Sequence, residues 1–466
     1  MENKQKRGSF SGSIGFVLAA AGSAVGLGNI WRFPYLAAKD GGGVFLLCYL
    51  VLALTFGFTL LTTEITIGRK TGKSPLVAYG VLHQKFSWVG SIASLIPVII
   101  LPYYCVIGGW VLRYLAAFVT GGGSAAAADG FFTGFITSQW SPIFWFIVFL
   151  AATLFVVYKG VDKGIERLST ILMPTLLLLI IGIGCFSLTL KHTDAAGMTR
   201  TGLEGLKVYM IPDFSGMTLG KFFVVLMDAL GQLFYSVSVA MGIMITYGSY
   251  VQKETNVVKS VNQIEIFDTA VAFLAGLMIV PAVFTFMGTE GMSAGPSLMF
   301  ISLPKIFEAM GIVGQVVGAV FFVMVAFAAL TSSVSIMEAI VSCVQDKFHL
   351  DRSKATLSVS ALALVMGLVV CLGYNVLYFE LTLPNGSVGQ VLDVLDYISN
   401  FVLMPVVAIA TCLLVGWVLG PKSIIEEVTR NGERFGREKL YVAMVKVVAP
   451  VLLMFLLLQS LGVVRL

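Results

Sequence analysis

Long apolar stretches separated by short polar connections follow one another along the whole chain. Each is long enough for an α-helix to cross the hydrocarbon core of a bilayer, which takes roughly 20 residues. The pattern predicts eleven membrane spans, near residues 12–37, 43–68, 88–119, 141–158, 166–190, 218–252, 260–288, 311–347, 355–373, 391–419 and 440–462.

The first predicted span is interrupted near its centre. Gly22, Gly26 and Gly28 weaken a helix at this point. Asn29 and Arg32 then bring strong polar groups to membrane depth. Lipid cannot satisfy the backbone amides and carbonyls that such a break frees, so they must face protein, water, an ion or a substrate. The sequence therefore predicts a polar binding site within this span.

The sixth predicted span repeats the interruption. Residues 222–234 are apolar, residues 235–242 break the pattern, and residues 243–250 resume it. One glycine-rich span alone would be explained as well by close helix packing. Two interrupted spans at matching positions of successive five-span halves are typical of transporters with an inverted repeat and a site between the breaks.

The predicted halves occupy most of the chain. The first covers about 12–190, the second about 218–419, and an extra span follows at about 440–462. Only 12% of the residues are charged and the mean hydropathy is +0.93. A soluble protein carries about twice that share of charge. We therefore interpret 1–466 as a single transmembrane domain of an all-α polytopic membrane protein, without a soluble module.

Positive charge is unevenly divided between the connections on the two sides of the predicted bundle. One side carries groups such as Arg69 with Lys70 and Arg434 with Arg437, whereas the other carries few. Basic connections remain in the cytoplasm. We therefore expect a protein of the inner or plasma membrane with a cytoplasmic N-terminus and, given an odd number of spans, an external C-terminus.

The sequence shows no pattern of enzyme chemistry. The six cysteines lie in apolar stretches without a C-x-x-C pair, and the three histidines are far apart. No nucleophile–base set or metal cluster is recognisable. We expect neither enzymatic activity nor a nucleic-acid partner.

The break in span 1 offers opposite polarities to a ligand. Free amides at Leu27 and Gly28 suit a carboxylate, and free carbonyls at Gly22, Ala24 and Val25 suit Na⁺ or an ammonium group. No basic side chain lies at the break to bind a carboxylate. A small ligand with both charges, such as an amino acid, fits this arrangement.

Span 8 presents a second group of oxygens. The carbonyl of Ala328 and the hydroxyls of Thr331 and Ser332 share one helix face by their spacing. With two carbonyls from the broken helix they would make a five-oxygen cage for a hard monovalent cation. Alternatively, the hydroxyls bond back to carbonyls of the preceding turn. The segment alone leaves both readings open.

Several charged residues lie within or at the ends of apolar stretches. Asp268 is inside span 7, where an unpaired carboxylate is costly, so it is a functional candidate with a structural hydrogen bond as the alternative. For Glu64 and Glu338 a structural role is favoured. Arg32 and Asp396 lie near span ends, where solvated charges are the plain interpretation.

Three segments resemble signatures of the neurotransmitter:sodium symporters. They are residues 22–34 (GSAVGLGNIWRFP) in span 1, residues 231–236 (GQLFYS) in span 6 and residues 330–333 (LTSS) in span 8. The resemblance covers spans 1 to 10. It implies the leucine-transporter fold, with broken first and sixth spans, and Na⁺-driven uptake of a small L-amino acid across the lipid bilayer.

The resemblance also implies sites, residue by residue. The first sodium site would use Ala24, Asn29, Ser236 and Asp268, and the second Gly22, Val25, Ala328, Thr331 and Ser332. Substrate would contact Ser23, Ala24, Leu27, Gly28, Ile100, Tyr104, Tyr235, Ser236, Ser238, Met241, Ser332 and Ile336. The outer gate would pair Arg32 with Asp396, and the inner gate would pair Arg7 with Asp346, beside Phe10 and Tyr250.

Two departures from the family pattern refine these expectations. Position 268 is typically Asn, and Tyr49, Gln232 and Ser236 match positions that hold chloride in chloride-dependent members. Because Asp268 would itself supply the negative charge, we expect two sodium ions and no chloride. Many members have twelve spans and this sequence shows eleven, so we carry over no oligomer contact.

The apolar remainder of the implied site predicts a neutral substrate, branched aliphatic or aromatic. Position 26 is Gly, where monoamine carriers place an Asp, so the ligand is expected to bring its own carboxylate. Two alternatives keep the fold: an amino-acid sensor or channel-like protein, and a proton-coupled amino-acid exchanger. Counterflow of labelled amino acid and uptake without Na⁺ distinguish them.

Overall fold

Eleven apolar spans make up the bundle. The structure, a computed structural model, describes residues 8–194, 197–292 and 297–464. Within these residues, ten helices are long and apolar enough to cross a membrane, and a pair bent by 56° forms one more span. Helices dominate because a helix satisfies the backbone groups that lipid cannot. The predicted number of spans is confirmed.

The bounds of the spans follow the predicted ones closely. In chain order they are Ser13–Ala24 with Leu27–Lys39, Gly43–Thr71, Gln84–Val119, Ser141–Tyr158, Val161–Leu188, Leu219–Ser236 with Ile243–Gly248, Val257–Met287, Ile312–Phe348, Arg352–Leu372, Val391–Val418 and Glu438–Ser460.

Short elements connect the spans. Two antiparallel hairpins pair Lys191–Thr193 with Thr199–Thr201 and Leu381–Thr382 with Val388–Gly389. The connecting helices are Pro75–Leu82, Gly123–Ala127, Phe131–Thr137, Gly202–Met210, Leu303–Ala309 and Lys422–Val428.

Span 1 breaks at Val25 and Gly26, which both have extended backbone conformations. Its second half starts at Leu27. The Gly26 amide donates to Oδ1 of Asn29 at 3.3 Å. This side chain replaces the carbonyl that a continuous helix would have supplied to the amide. Asn29, a polar residue within an apolar span, therefore caps the second half of the broken helix.

Span 6 breaks between Ser236 and Ile243. The interruption was predicted to start at 235, but the amide of Val237 still bonds to the Leu233 carbonyl at 3.0 Å, so the helix extends further. Ser238 (φ 54°) and Ala240 (φ 63°) then adopt left-handed conformations. For residues with a Cβ this costs about 1–2 kcal/mol each, so the surroundings must hold them.

Span 2 packs against the second half of span 6 without room for a methyl group. A Cβ on Gly68 would lie 2.0 Å from the carbonyl oxygen of Ile245, and one on Gly248 would lie 2.2 Å from that of Ile65. Glycine at both positions therefore lets the two backbones touch. This contact fixes the position of the break in span 6 relative to span 2.

Candidate functional site

A small cavity of about 30 Å³ lies between the two breaks. It brings together all twelve residues predicted to contact substrate, and Gly26 and Asn29 also line it. The complete lining is Ser23, Ala24, Gly26, Leu27, Gly28, Asn29, Ile100, Tyr104, Tyr235, Ser236, Ser238, Met241, Ser332 and Ile336.

The backbone at the first break is accessible to side chains from other spans. The amide of Leu27 donates to the Tyr104 hydroxyl at 3.5 Å. The Tyr235 ring packs on Gly28, where a Cβ would lie 2.8 Å from Cε1 of the ring. These contacts hold the exposed amide end of the second half of span 1 at the cavity wall.

Asp268 is the centre of a buried polar cluster. Its Oδ1 accepts from Nδ2 of Asn29 at 2.9 Å and from the Ser236 hydroxyl at 2.8 Å. The Tyr49 hydroxyl donates to its Oδ2 at 3.3 Å. Three of the four residues predicted for the first sodium site therefore contact one another, and the fourth, Ala24, lines the adjacent cavity.

The residues predicted for the second sodium site also meet. The Ser332 hydroxyl lies 3.3 Å from the Gly22 carbonyl and 3.3 Å from the Val25 carbonyl. Thr331 instead donates back to the carbonyls of Phe327 and Ala328, both at 3.1 Å. For Thr331 this is the alternative that the sequence left open.

The residues matching chloride positions have other partners here. Tyr49 and Ser236 both donate to the Asp268 carboxylate. Nε2 of Gln232 donates to the Gly28 carbonyl at 3.2 Å. The hydroxyl donors at the positions that match chloride ligands therefore already bond to the Asp268 carboxyl group.

The two residues predicted as an outer gate are not in direct contact. No ion pair within 4 Å joins Arg32 to Asp396, both of which the structure describes. Asp396 accepts from Tyr103 at 3.1 Å and from Asn400 at 2.6 Å. The Arg32 guanidinium lies 5.8 Å from the Phe401 ring centroid. The gate stays a prediction, and Tyr103 and Asn400 are partners that the sequence did not reveal.

Arg32 lines a second, larger cavity of about 510 Å³. Tyr235 lines both this cavity and the central one. Its ring therefore forms part of the wall between them.

At the opposite end of the site, Arg7 lies outside the described residues, so the inner pair stays a prediction. Asp346 accepts from the Ser74 amide at 2.7 Å. The Phe10 ring packs on Tyr250, 6.3 Å between centroids. The Tyr250 hydroxyl donates to Glu338 at 2.8 Å, and Glu338 also pairs with Arg352 at 2.5 Å. Glu338 thus has the structural contacts that its position favours.

Glu64 has a closer relation to the site than the sequence suggested. Its side chain is buried, and Oε1 accepts from the Ala240 amide at 2.6 Å. It therefore holds the left-handed segment that carries Ser238 and Met241 to the cavity. The signal available in the sequence was a single acidic residue among threonines within an apolar stretch.

Comparison with known proteins identifies the family. The sequence profile of the sodium:neurotransmitter symporter family matches residues 7–123 and 136–465. The chain belongs to this family. Members of this symporter family are sodium-coupled transporters, so the protein is a multi-pass membrane transporter and not an enzyme. The resemblance read from the three motifs is confirmed.

Individual relatives of this symporter agree with that assignment. An uncharacterized sodium-dependent transporter of Bacillus subtilis, YhdH, is 33% identical over 99% of both chains. The human sodium- and chloride-dependent GABA transporter 2 is 26% identical over 92% of this chain and 76% of its own length.

A solved structure supports the fold. The crystal structure of MhsT in complex with L-phenylalanine superposes with a TM-score of 0.84 and 34% sequence identity, covering 98% of this symporter and all of MhsT. The leucine-transporter fold predicted from the sequence is confirmed.

The contacts of Asp396 generate a testable prediction about gating. Asp396→Ala removes the acceptor shared by Tyr103 and Asn400, and also the predicted partner of Arg32. We expect uptake to fall about tenfold or more, because a gate contributes to switching between states more than to folding. Uptake in proteoliposomes and the melting temperature are measured together.

Asp393→Ala is the matched control. It lies one turn earlier, is exposed, and caps the helix by accepting from the Gln390 amide at 2.9 Å. Its loss should leave the uptake rate nearly unchanged. A wild-type uptake rate in Asp396→Ala would contradict a role of Asp396 in gating.

Proposed function

We propose that this protein imports a neutral, hydrophobic L-amino acid together with two sodium ions by alternating access, without chloride. The observation that carries the proposal is the cavity between two helix breaks, which combines amide ends, carbonyl oxygens and apolar walls. An anionic group at the amides and a cationic group at the carbonyls fit an amino acid. The N-terminus would face the cytoplasm and the C-terminus the outside of the cell membrane.

The side-chain part of the cavity supports a neutral substrate. Ile100, Met241, Ile336 and the ring of Tyr235 line it, and none of the fourteen lining residues is Lys, Arg, Asp or Glu. A charged substrate side chain would therefore be buried without a partner, which is strongly unfavourable. The similarity to MhsT, solved with L-phenylalanine, also supports an apolar substrate.

A binding and uptake screen tests this proposal. The twenty amino acids are compared by thermal shift of the purified protein and by competition for uptake, with Na⁺ and with K⁺ in its place. We expect stabilisation by leucine, phenylalanine, tyrosine or tryptophan only with Na⁺. Best competition by lysine or glutamate would contradict the substrate class, and binding without counterflow would favour a sensor.

The second sodium site is tested by the double variant Thr331→Ala with Ser332→Ala. It removes two of the five proposed oxygen ligands, so Na⁺-dependent uptake should fall by at least about tenfold, since each lost ligand leaves the ion poorly solvated. The dependence of uptake on Na⁺ concentration is the measurement. Unchanged Na⁺ dependence in a normally expressed variant would contradict the assignment of Thr331 and Ser332 to the second sodium site.

Ser333→Ala provides the matched control. Its hydroxyl is buried in the same helix turn but bonds to Thr153 at 2.9 Å. It deletes a hydroxyl without touching the proposed ligands, so Na⁺ dependence should be retained.

Chloride independence follows from Asp268. The carboxylate already receives the hydroxyls of Tyr49 and Ser236, and a chloride within a few ångströms would be repelled by it. Replacing chloride by gluconate at constant Na⁺ should leave uptake unchanged. Asp268→Asn should weaken Na⁺ coupling and create a chloride requirement. Wild-type uptake that collapses in gluconate would refute the idea.

A further inference from the structure

Ser23 has an unusual position among the residues that line the central cavity. It lies in the last turn of the first half of span 1 and is 3% exposed. Its carbonyl accepts from the hydroxyls of Ser238 at 2.9 Å and Ser332 at 3.2 Å. Its own hydroxyl has no hydrogen-bond partner among the residues that the structure describes.

The other serine hydroxyls of the cavity wall are all engaged. Ser236 donates to Asp268, Ser238 to the Ser23 carbonyl, and Ser332 to carbonyls of the first break. Their hydrogen bonds hold the two breaks and span 8 together. The Ser23 hydroxyl takes no part in this structural network, so the network gives no reason for a hydroxyl at position 23.

A buried hydroxyl without a partner is unfavourable and rare in folded proteins. A bound ligand that brings one polar hydrogen to it removes the penalty. The neighbouring walls are apolar, formed by Ile100, Met241 and Ile336. The complementary side chain is therefore apolar apart from a single N–H or O–H, as in an indole or a phenol. Aliphatic and phenyl side chains would leave the hydroxyl unsatisfied.

We infer that Ser23 sets substrate preference by accepting a hydrogen bond from the ring N–H or O–H of the substrate, so that tryptophan and tyrosine bind more tightly than their analogues without this hydrogen. The inference rests on the proposed function and narrows its substrate class. Discrimination of this kind is effective because a binding site distinguishes partners by polar groups that remain unpaired with the wrong one.

Matched ligand pairs test the inference. Tryptophan is compared with benzothienylalanine, in which sulfur replaces the ring N–H, and tyrosine with phenylalanine, by competition for Na⁺-dependent uptake. In the wild type the analogue lacking the hydrogen should compete roughly five- to tenfold less well. Ser23→Ala should bring both ratios to about one, and Ser23→Thr, which keeps the hydroxyl, should retain them.

Ser238→Ala is the control within the same cavity. Because its hydroxyl already bonds to the Ser23 carbonyl, its loss should weaken both members of each pair alike. Ratios in Ser23→Ala equal to those of the wild type, with normal leucine competition, would overturn the inference. So would stronger competition by serine, threonine or glutamine than by tryptophan and tyrosine. Failure of every amino acid, leucine included, in the wild type would instead overturn the proposed function.

Discussion

Backbone hydrogen bonding inside the bilayer governs this architecture. Two spans stop being helical halfway along their length, and hydrocarbon offers nothing to the amides and carbonyls released there. In the described structure, side chains from several spans form hydrogen bonds with these groups. Asn29 caps its own break, Glu64 reaches the Ala240 amide from span 2, and Ser332 reaches three carbonyls from span 8. Two of these residues, Asn29 and Ser332, also line the cavity.

This constraint links stability to selectivity at Asp268. A carboxylate at membrane depth persists only when it is hydrogen-bonded or paired with a cation. Asn29, Ser236 and Tyr49 provide three hydrogen bonds from three different spans. In the proposed function the same carboxylate would also contribute to the first sodium site.

The sequence predicted the bundle well because apolar length and broken periodicity are strong signals. The fourth span is correct to the residue at Ser141–Tyr158. The fifth starts at Val161, earlier than the predicted 166, with a π-helical segment, Val161–Glu166, that itself contains charged residues. The signatures also identified residues that the fold gathers around one cavity.

Side-chain choices were less predictable, because sequence spacing determines a helix face but not a rotamer. Thr331 lies on the expected face and still bonds to its own helix. Asp396 takes Tyr103 and Asn400 as partners, although its sequence position suggested only Arg32. The role of Glu64 depends on the left-handed backbone conformation of Ala240, which the local sequence does not predict.

The close approach of Gly68 and Gly248 has a mechanical consequence. Two helices whose backbones touch at carbonyl level have no side-chain layer that could deform between them. Sliding one past the other by a fraction of a turn would drive a Cβ of the next residue into a main-chain oxygen. Span 2 and the second half of span 6 are therefore expected to form one rigid unit. In the proposed alternating access, we expect the two segments to move together.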